Sequence, residues 1–318
     1  MFDILRSITP VIKEAQHVKV NRPVLERICN QLTPQDFEAS QISFPFDAST
    51  LTPEERVNFS IIYNTQTFCF WGDPPWEIQY EGRACKGSYG MNAALGRAIT
   101  QGLPVLSAKF LEELPLETWT KLMGGNVEIP LLKKRLEILH GVGKELRVGY
   151  GGSFANVVAE AHGDALKLVE SLASDFPDAF DDRSPYGGKT VLFFKRAQLA
   201  TFDVYKCFQG QGFGALKNIE RLTAFADYKI PYVLRHLGIL EYSDSLCQQV
   251  DAKALLLPNS PQEVEIRAST IWAVELMRDQ LSPRFADITA ADVDNYLWVQ
   301  GKKNWPGKPH HLTLTTAY

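Results

Sequence analysis

The stretch SPQEVEIR, at residues 260–267, predicts the start of a long helix. Ser260 and Glu263 have the spacing of a capping box, in which each side chain binds the other residue's backbone N–H. Pro261 falls at the first helical position, where a missing N–H is tolerated. Apolar residues then recur at helical spacing as far as Leu281, so we expect one continuous helix here.

Helical periodicity extends outward from this stretch over most of the chain. Apolar stripes and the capping sequence TAAD at residues 289–292 indicate several more helices. They are predicted at residues 23–32, 131–146, 155–175 and 293–299. No run of Ser, Gly or Pro is long enough to link independent domains, so we expect a single domain over residues 1–318.

Strand-like sequence is confined to one region between the helices. Aromatic-rich runs at residues 67–71, 76–80 and 83–86 are separated by turn residues and predict a small antiparallel β meander. Residues 191–194 are compatible with a short strand or with the buried start of a helix. The polar, turn-rich residues 178–188 predict a mobile loop. The expected fold class is mainly α with a small antiparallel β meander.

The composition is that of an ordinary globular protein and excludes several classes. With 45% hydrophobic and 22% charged residues, the 318-residue chain can bury a sizeable core and is not disordered. The net charge is −4 and the pI is about 5.9. A protein that grips long nucleic acid usually carries a basic surface, so we expect no direct nucleic-acid binding.

The cysteines and histidines favour neither disulfides nor a metal site. The five cysteines are odd in number, widely scattered and without Cys-x-x-Cys spacing, which favours a reducing compartment. No histidine has the spacing of a metal-binding helix, so we expect no metal and no cofactor. The chain shows no secretory signal and no apolar run near the roughly 18–20 residues of a membrane span. We therefore expect a cytoplasmic protein without membrane contact.

Three further motifs are weak as functional signals. GYGG at residues 149–152 lacks the features of a nucleotide-binding loop and favours a turn between helices. HGVGK at residues 140–144 is similar to the hairpin by which some helical proteins hold DNA phosphates, but it lies inside a helical pattern. His310 and His311 lie close to the C-terminus, where we expect a solvated pair.

The first informative segment is KRAQLATFD, at residues 195–203. Lys195 and Arg196 lie in a strongly apolar stretch, and Asp203 follows Arg196 by seven residues on the same helical face. Charges in such surroundings need partners. A structural salt bridge and an anion-binding role both remain open.

The second segment is FADYKIP, at residues 225–231. Asp227 is flanked by the aromatic residues Phe225 and Tyr228. It could be a helix N-cap, but Pro231 suggests that the helix starts later and leaves Asp227 free in a loop. A carboxylate between aromatic rings suits the stabilisation of a flat, cationic transition state.

The third segment is DNYLW, at residues 294–298. Asp294 and Trp298 are four residues apart and share a helix face. A carboxylate beside an indole suits an aromatic ring with N–H donors on its edge, such as a guanine-like base. An exposed aspartate above a core tryptophan is the alternative.

These segments and others together resemble the queuosine salvage protein family. In chain order, the motifs are FCFW (68–71), YEG (80–82), GSF (152–154), KRAQ (195–198), FADY (225–228), QEVEIR (262–267) and YLW (296–298). The resemblance covers nearly the whole chain. It implies hydrolysis of queuosine 5′-phosphate to release the base queuine, and a mostly helical fold related to the helix-hairpin-helix DNA glycosylases. It also implies a free nucleotide as substrate in place of duplex DNA, and we expect a monomer.

The resemblance assigns roles to particular residues. The family's catalytic aspartate corresponds to Asp227, and its aromatic base contact corresponds to Phe225. Its base-recognising aspartate corresponds to Asp294, with Asn295 beside it. Family members often have an aspartate directly after the tryptophan, where this chain has Val299. This departure leaves two alternatives for one polar contact to the base. Another loop or a water molecule replaces the contact, or the contact is absent and the affinity for the base is weaker.

The implied chemistry requires a carboxylate, aromatic rings and cations. Asp227 would act as a nucleophile or would stabilise an oxocarbenium-like ribose, and the sequence leaves both roles open. Tyr228 and Trp298 are expected to contact the base. The 5′-phosphate requires cations, and the candidates are Lys195, Arg196 and Lys229, of which Lys229 is nearest to Asp227 in the sequence.

Two other functions remain as alternatives. A helix-hairpin-helix type DNA glycosylase would use the glycines of residues 140–144 and would bind duplex DNA in a salt-dependent manner. A non-catalytic nucleobase-binding protein would use the same aromatic pocket and leave the glycosidic bond intact.

Overall fold

The computed structural model describes residues 3–40, 42–303 and 305–318, and this part of the chain is mainly helical. Its α-helices are α1 (Ile4–Glu14), α2 (Arg22–Gln31), α3 (Pro34–Glu38), α4 (Pro53–Thr65), α5 (Gly87–Thr100), α6 (Ala108–Glu113), α7 (Leu116–Leu122), α8 (Leu132–Gly149), α9 (Phe154–Glu160), α10 (Ala165–Asp175), α11 (Pro177–Phe180), α12 (Lys195–Cys207), α13 (Lys229–His236), α14 (Asp244–Asp251), α15 (Pro261–Leu281) and α16 (Ala290–Gln300). Its strands are β1 (Val18–Val20), β2 (Glu77–Tyr80), β3 (Arg83–Lys86), β4 (Arg183–Tyr186), β5 (Lys189–Leu192) and β6 (Leu240–Tyr242).

Helix α15 is the long helix predicted from residues 260–267, and it is buried along most of its length. The hydroxyl of Ser260 accepts a hydrogen bond from the N–H of Glu263 at 3.4 Å and caps the first turn, but only this half of the predicted capping box forms, because the carboxylate of Glu263 accepts from the N–H of Asn259 at 3.1 Å. The helix packs against α1, α2, α13 and α16, which explains why its buried residues are not restricted to one face. In the described residues, no helix combines the length and the apolar character needed to cross a membrane.

The predicted β meander is only partly correct. Strands β2 and β3 form an antiparallel hairpin in which Ile78 lies opposite Cys85. The strand predicted at residues 67–71 is wrong, because this segment is irregular. Cys69 has a φ of 41°, which a strand does not accommodate, and its N–H donates to the carbonyl of Tyr318 at 2.9 Å.

The irregular segment is held from outside by a buried arginine on α8. The guanidinium of Arg135 donates hydrogen bonds to the carbonyl oxygens of Gln66 at 2.6 Å and Cys69 at 3.1 Å, and also to that of Phe68. It lies 4.0 Å from the centre of the Phe68 ring. Side-chain donors thus replace the partner strand that this backbone lacks.

Two further strand pairs were not predicted. Strand β1 pairs antiparallel with β6, with Val18 opposite Tyr242. Three-residue strands so far apart in the chain leave almost no periodic pattern to recognise. Strand β4 pairs with β5 and lies within residues 178–188, so the prediction of a loop there is wrong. The short strand considered for residues 191–194 is present two residues earlier, as β5.

The single helix predicted at residues 155–175 is also wrong, since two helices, α9 and α10, occupy this region. His162 and Gly163 have φ values of 50° and 69°, and this left-handed backbone ends the first helix. Asp164 then begins the second helix, because its carboxylate accepts hydrogen bonds from the N–H groups two and three residues later, at 2.9 and 3.1 Å.

Residues 140–144 lie inside the continuous helix α8, and the turn to α9 follows Gly149, close to where the sequence predicted it. Gly143 faces α6 at close range. A Cβ atom there would lie 2.4 Å from the backbone nitrogen of Glu112 and 2.5 Å from the carbonyl oxygen of Ala108. The glycine therefore allows two helices to approach each other, which explains its presence without a nucleic-acid contact.

Replacing Gly143 with Ala should lower the free energy of unfolding by roughly 1–3 kcal/mol, because backbone atoms must move to admit the methyl group. Urea denaturation measures this change. Gly149→Ala is the matched control, since Gly149 ends the same helix and a Cβ there has no atom within 4 Å. Equal stability of the two variants would contradict the close-packing explanation.

Candidate active site

A cavity of about 560 Å³ collects most of the residues singled out from the sequence, and its volume is typical of small-molecule sites. Eight of the nine candidate residues line it, namely Lys195, Phe225, Asp227, Tyr228, Lys229, Asp294, Asn295 and Trp298. Arg196 does not line it. Aromatic side chains form much of the wall, and they are Phe44, Tyr63, Phe68, Phe70, Trp71, Tyr89, Phe202, Phe225, Tyr228, Trp298 and Tyr318. Such a wall suits a flat heterocyclic ligand.

Asp227 lies at the start of α13 and is 9% exposed. Its Oδ1 accepts hydrogen bonds from the N–H groups of Lys229 at 2.7 Å and Ile230 at 3.1 Å. The expectation that Asp227 is free of helix capping is therefore wrong. Pro231 does not prevent the helix from beginning earlier, because it lies in the first turn. An N–H at that position would have no partner within the helix, so its loss is tolerated. Among the described residues, none donates a hydrogen bond to Oδ2, so one carboxylate oxygen remains available to the cavity.

A buried ion pair holds the backbone on either side of the cavity. The guanidinium of Arg267 binds both carboxylate oxygens of Asp182, at 2.8 and 2.6 Å, and its Nε donates to the carbonyl of Ala226 at 3.2 Å. The carboxylate of Asp182 also accepts from the backbone N–H of Lys195 at 3.1 Å. The pair therefore joins the residue before Asp227 to the first turn of α12.

Lys195 is buried, and its side chain reaches the cavity from α12. Its Nζ donates to the carbonyl of Thr67 at 3.2 Å. Burial lowers the pKa of Lys195, whereas the neighbouring carboxylates of Asp227, Asp294 and Asp182 oppose that shift. One ammonium group is thus surrounded by several acidic side chains.

Arg196 points away from the cavity, although it is the next residue in the chain. Its guanidinium donates to the carbonyl of Thr65 and lies 4.9 Å from the centre of the Phe68 ring. The salt bridge considered between Arg196 and Asp203 does not form. Instead, the side-chain amide of Asn64 donates to Oδ2 of Asp203 at 2.7 Å.

Asp294 extends from α16 into the cavity wall. Its Oδ1 accepts a hydrogen bond from the N–H of Phe225 at 2.9 Å, so the alternative of an exposed aspartate is wrong. Burial raises the pKa of Asp294 to about 8, and the nearby carboxylate of Asp227 adds to the rise. The carboxyl group is therefore mostly neutral at pH 7 and has a proton to donate.

The neighbours of Asp294 on α16 have different environments. The side-chain amide of Asn295 donates to the carbonyl of Ser40 at 3.0 Å, which ties the helix to the segment after α3. The indole of Trp298 meets the ring of Tyr89 edge-on, with the ring centres 6.0 Å apart. Trp298 also lines the cavity, and its contact with the base stays a prediction.

Sequence reasoning missed Lys302 at this site. Its ammonium lies 3.8 Å from the centre of the Tyr89 ring and 3.9 Å from that of Trp298. Partial burial, together with the smaller effect of the positive charge of Lys229, lowers the pKa of Lys302 to about 8. The spacing of four residues between Trp298 and Lys302 is visible in the sequence, but the contact with Tyr89, 213 residues away, requires the tertiary structure.

The expectation of a solvated histidine pair is wrong. His311 is buried, and His310 lines the cavity with its ring centre 4.7 Å from that of Tyr228. Burial lowers the pKa of both imidazoles and therefore favours their neutral forms. Across the described residues, no group of three or more His, Cys, Asp or Glu side chains could hold a metal ion.

Comparisons with known proteins point to one family. Residues 48–318 match the family model described as queuosine salvage protein. A protein of Sphaerobacter thermophilus named queuosine 5′-phosphate N-glycosylase/hydrolase is 36% identical over 99% of this chain and 97% of its own length. Proteins of the same name from Mus musculus and Schizosaccharomyces pombe are 33% and 32% identical. These two alignments cover 83% and 82% of this chain, and 82% and 77% of the relatives.

The neutral state of Asp294 predicts a particular pH dependence of stability. Its pKa of about 8 in the folded chain exceeds the value near 3.9 of an unfolded chain, so proton binding stabilises the fold. This contribution is complete at acidic pH below the unfolded value and is lost as the pH rises to about 8. Asp294→Asn keeps an acceptor for the N–H of Phe225 but does not titrate.

We therefore expect Asp294→Asn to gain stability relative to the wild-type protein between about pH 5 and pH 8, with no further gain at higher pH. Urea unfolding of both proteins at a series of pH values measures the difference. A difference that does not change with pH would contradict the raised pKa of Asp294.

Proposed function

The chain belongs to the queuosine salvage protein family, and we propose that it hydrolyses the N-glycosidic bond of queuosine 5′-phosphate to release queuine for reuse in tRNA modification. The observation that carries this proposal is the carboxylate of Asp227. It is buried beside an aromatic cavity of suitable size for a nucleotide, in a chain whose relatives bear the name of this activity.

Asp227 is the proposed catalytic residue. As the bond between C1′ and the base nitrogen breaks, its electron pair stays with the base and the ribose becomes oxocarbenium-like. A carboxylate beneath C1′ lowers the energy of this state more than that of the ground state. A water molecule then adds its oxygen to C1′ and loses one proton, while the departing base takes up one proton, so the products are the ribose 5-phosphate and neutral queuine. The hydrogen bonds from Lys229 and Ile230 support this role because they fix the orientation of the carboxylate.

Asp294 is proposed to assist the departure of the base. Queuine is a 7-deazaguanine, so the ring position that purines usually protonate, N7, is a carbon atom. Assistance must therefore come from hydrogen bonds at other edges of the ring, and a neutral carboxyl can donate one. Phe225, Tyr228 and Trp298 would enclose the faces of the ring. Asn295 would act mainly by anchoring α16, since its amide already binds Ser40.

The 5′-phosphate is proposed to bind near Lys229 and Lys302. Both line the cavity, and the repulsion between their ammonium groups would be relieved by an anion between them. No carboxylate among the described residues forms an ion pair with Lys302. Lys195 also lines the cavity, but its carboxylate neighbours favour a role near Asp227. The position of Arg196 supports a structural role for that residue.

Further parts of the proposal concern the molecule as a whole. We propose that residues 1–318 act as one domain, as a monomer, in the cytoplasm, and on a free nucleotide. A net charge of −4 supports the absence of nucleic-acid binding. The inclusion of residues 140–144 in α8 removes the motif that suggested a DNA glycosylase. The mainly helical architecture, with an aspartate at a helix start beside the cavity, is compatible with a distant relation to the helix-hairpin-helix glycosylases.

Replacing Asp227 with Asn should reduce queuine release by about 10²–10³-fold or more, while queuosine 5′-phosphate still binds. The amide keeps an oxygen for the two N–H groups of α13 but lacks the negative charge. Chromatography of released queuine measures the rate, and calorimetry measures binding. Intact binding with little or no release supports a catalytic role for Asp227. Normal release by the variant would refute the proposal.

Asp164→Asn is the matched control for that experiment. Asp164 caps α10 through N–H groups two and three residues later, which is the pattern that Asp227 makes at α13, but it lies outside the cavity. We expect this variant to release queuine at the wild-type rate. If the protein only binds the nucleotide and does not catalyse its hydrolysis, then the wild-type chain itself will leave the glycosidic bond intact.

Replacing Lys302 with Ala should raise KM for queuosine 5′-phosphate by about 10–100-fold, the equivalent of one charge-assisted hydrogen bond. The KM for unphosphorylated queuosine should change little, because that ligand lacks the anion. Lys303→Ala is the control, since Lys303 is the next residue in the chain but does not line the cavity. An equal effect on both ligands would argue against a phosphate contact.

A further inference from the structure

Asp203 is a carboxylate in the cavity wall to which the reaction described above gives no role. Its Oδ2 accepts a hydrogen bond from Asn64 Nδ2 at 2.7 Å. Asn64 is fully buried and is itself held, because Nδ2 also donates to the carbonyl of Ser60 at 2.9 Å. The orientation of Asp203 is thus fixed by a buried amide. No described residue donates a hydrogen bond to its other oxygen, Oδ1.

The negative charge of Asp203 is not balanced within the protein. Arg196, on the same helix, turns away to the carbonyl of Thr65, and no described cation forms an ion pair with Asp203. Lys195 is the positive group near it, but Asp227 and Asp294 share this lysine. Burial raises the pKa of Asp203 to about 6, so the group remains mostly ionised at pH 7. A partly buried carboxylate without an ion-pair partner favours the binding of a cation.

The ligand has one positive charge that the residues discussed so far do not bind. The side chain on the five-membered ring of queuine contains a secondary amine, which is protonated at neutral pH. Asp227 is occupied with C1′ and Asp294 with the ring edge. On the basis of the proposed function, we propose that Asp203 binds this ammonium group and makes the enzyme prefer a base with a cationic side chain over an uncharged one.

The space around Asp203 fits this assignment. A second cavity of about 1010 Å³ adjoins the first. The two cavities share six lining residues, which are Ile42, Phe44, Tyr63, Phe202, Asp203 and Asn295. The part of the side chain beyond the amine therefore has room on the far side of Asp203. The rings of Phe44, Tyr63 and Phe202 border the same passage and favour a cation at their faces.

Two nucleotides of nearly equal size test the assignment. The 5′-phosphate of 7-aminomethyl-7-deazaguanosine carries a cation at the position of the amine, and that of 7-cyano-7-deazaguanosine is uncharged there. The wild-type protein should hydrolyse the aminomethyl compound with the higher kcat/KM. Asp203→Asn should raise KM for queuosine 5′-phosphate and for the aminomethyl compound by about 10–100-fold, as expected for one lost charge-assisted hydrogen bond. The KM for the cyano compound should stay within about twofold, because that ligand makes no such bond.

Two variants complete this experiment. Asp203→Glu keeps the charge and should keep the preference for the aminomethyl compound, even if the rates fall. Asp175→Asn is the control for removing an acceptor of similar exposure, because Asp175 accepts from Tyr150 and lies outside the cavity. It should leave all three KM values unchanged. A loss that is equal for the charged and uncharged ligands, or no loss at all, would overturn the role of Asp203.

Failure of the proposed function would look different. In that case, the wild-type protein would release no base from any of the three nucleotides. The assignment of Asp203 is then tested by calorimetry with the two free bases, 7-aminomethyl- and 7-cyano-7-deazaguanine. Weaker binding of only the aminomethyl base by Asp203→Asn supports the cation site, and equal binding by variant and wild type refutes it.

Discussion

The candidate site depends on the buried ion pair between Arg267 and Asp182. Arg267 belongs to α15, the helix at the centre of the molecule, so the pair connects the core directly to the site. It fixes the carbonyl of Ala226 on one side and the N–H of Lys195 on the other. Removing one partner of such a pair leaves a buried charge without compensation and costs roughly 3–5 kcal/mol. The pair is therefore better regarded as a device that fixes geometry than as a simple gain in stability.

The cavity contains both carboxylates and lysines, and the two kinds of group have different charged neighbours inside the protein. Asp203, Asp227 and Asp294 have Lys195 as their shared cation, and burial keeps Asp294 neutral at pH 7. Lys302 has another lysine as its charged neighbour. A nucleotide with a cationic base and an anionic phosphate is complementary to this distribution, because its cation meets Asp203 and its phosphate meets Lys302, neither of which forms an ion pair with another described residue.

The sequence predicted the helices whose ends have clear chemistry. Ser260 caps α15 as expected, and the TAAD sequence caps α16, because both signals are local. It could not predict the pairing of β1 with β6, nor the break between α9 and α10, which depends on left-handed backbone at His162 and Gly163. Short strands and single backbone reversals leave too little periodicity to recognise.

Some residues of the candidate site were predicted from the sequence and others were not, because local segments can be recognised and contacts between distant segments cannot. The segments around Asp227 and Asp294 converge on one cavity, but the capping contact of Asp227 depends on where α13 begins. The direction of Arg196 is set by the carbonyl of Thr65, which belongs to a distant segment. Lys302 reaches the site only because the fold places its ammonium between Tyr89 and Trp298. Contacts of this kind require the tertiary structure.

Arg135 has a consequence for the thermodynamics of ligand association. The wall of the cavity at residues 67–71 has no regular secondary structure, yet three of the carbonyl groups at or next to it are bound by this one guanidinium. An unrestrained loop would lose conformational freedom on closing around a ligand, at a cost of about 1–2 kcal/mol per residue. Here that ordering has already taken place during folding. The wall is thus rigid before the ligand arrives, and more of the intrinsic interaction energy is available as affinity.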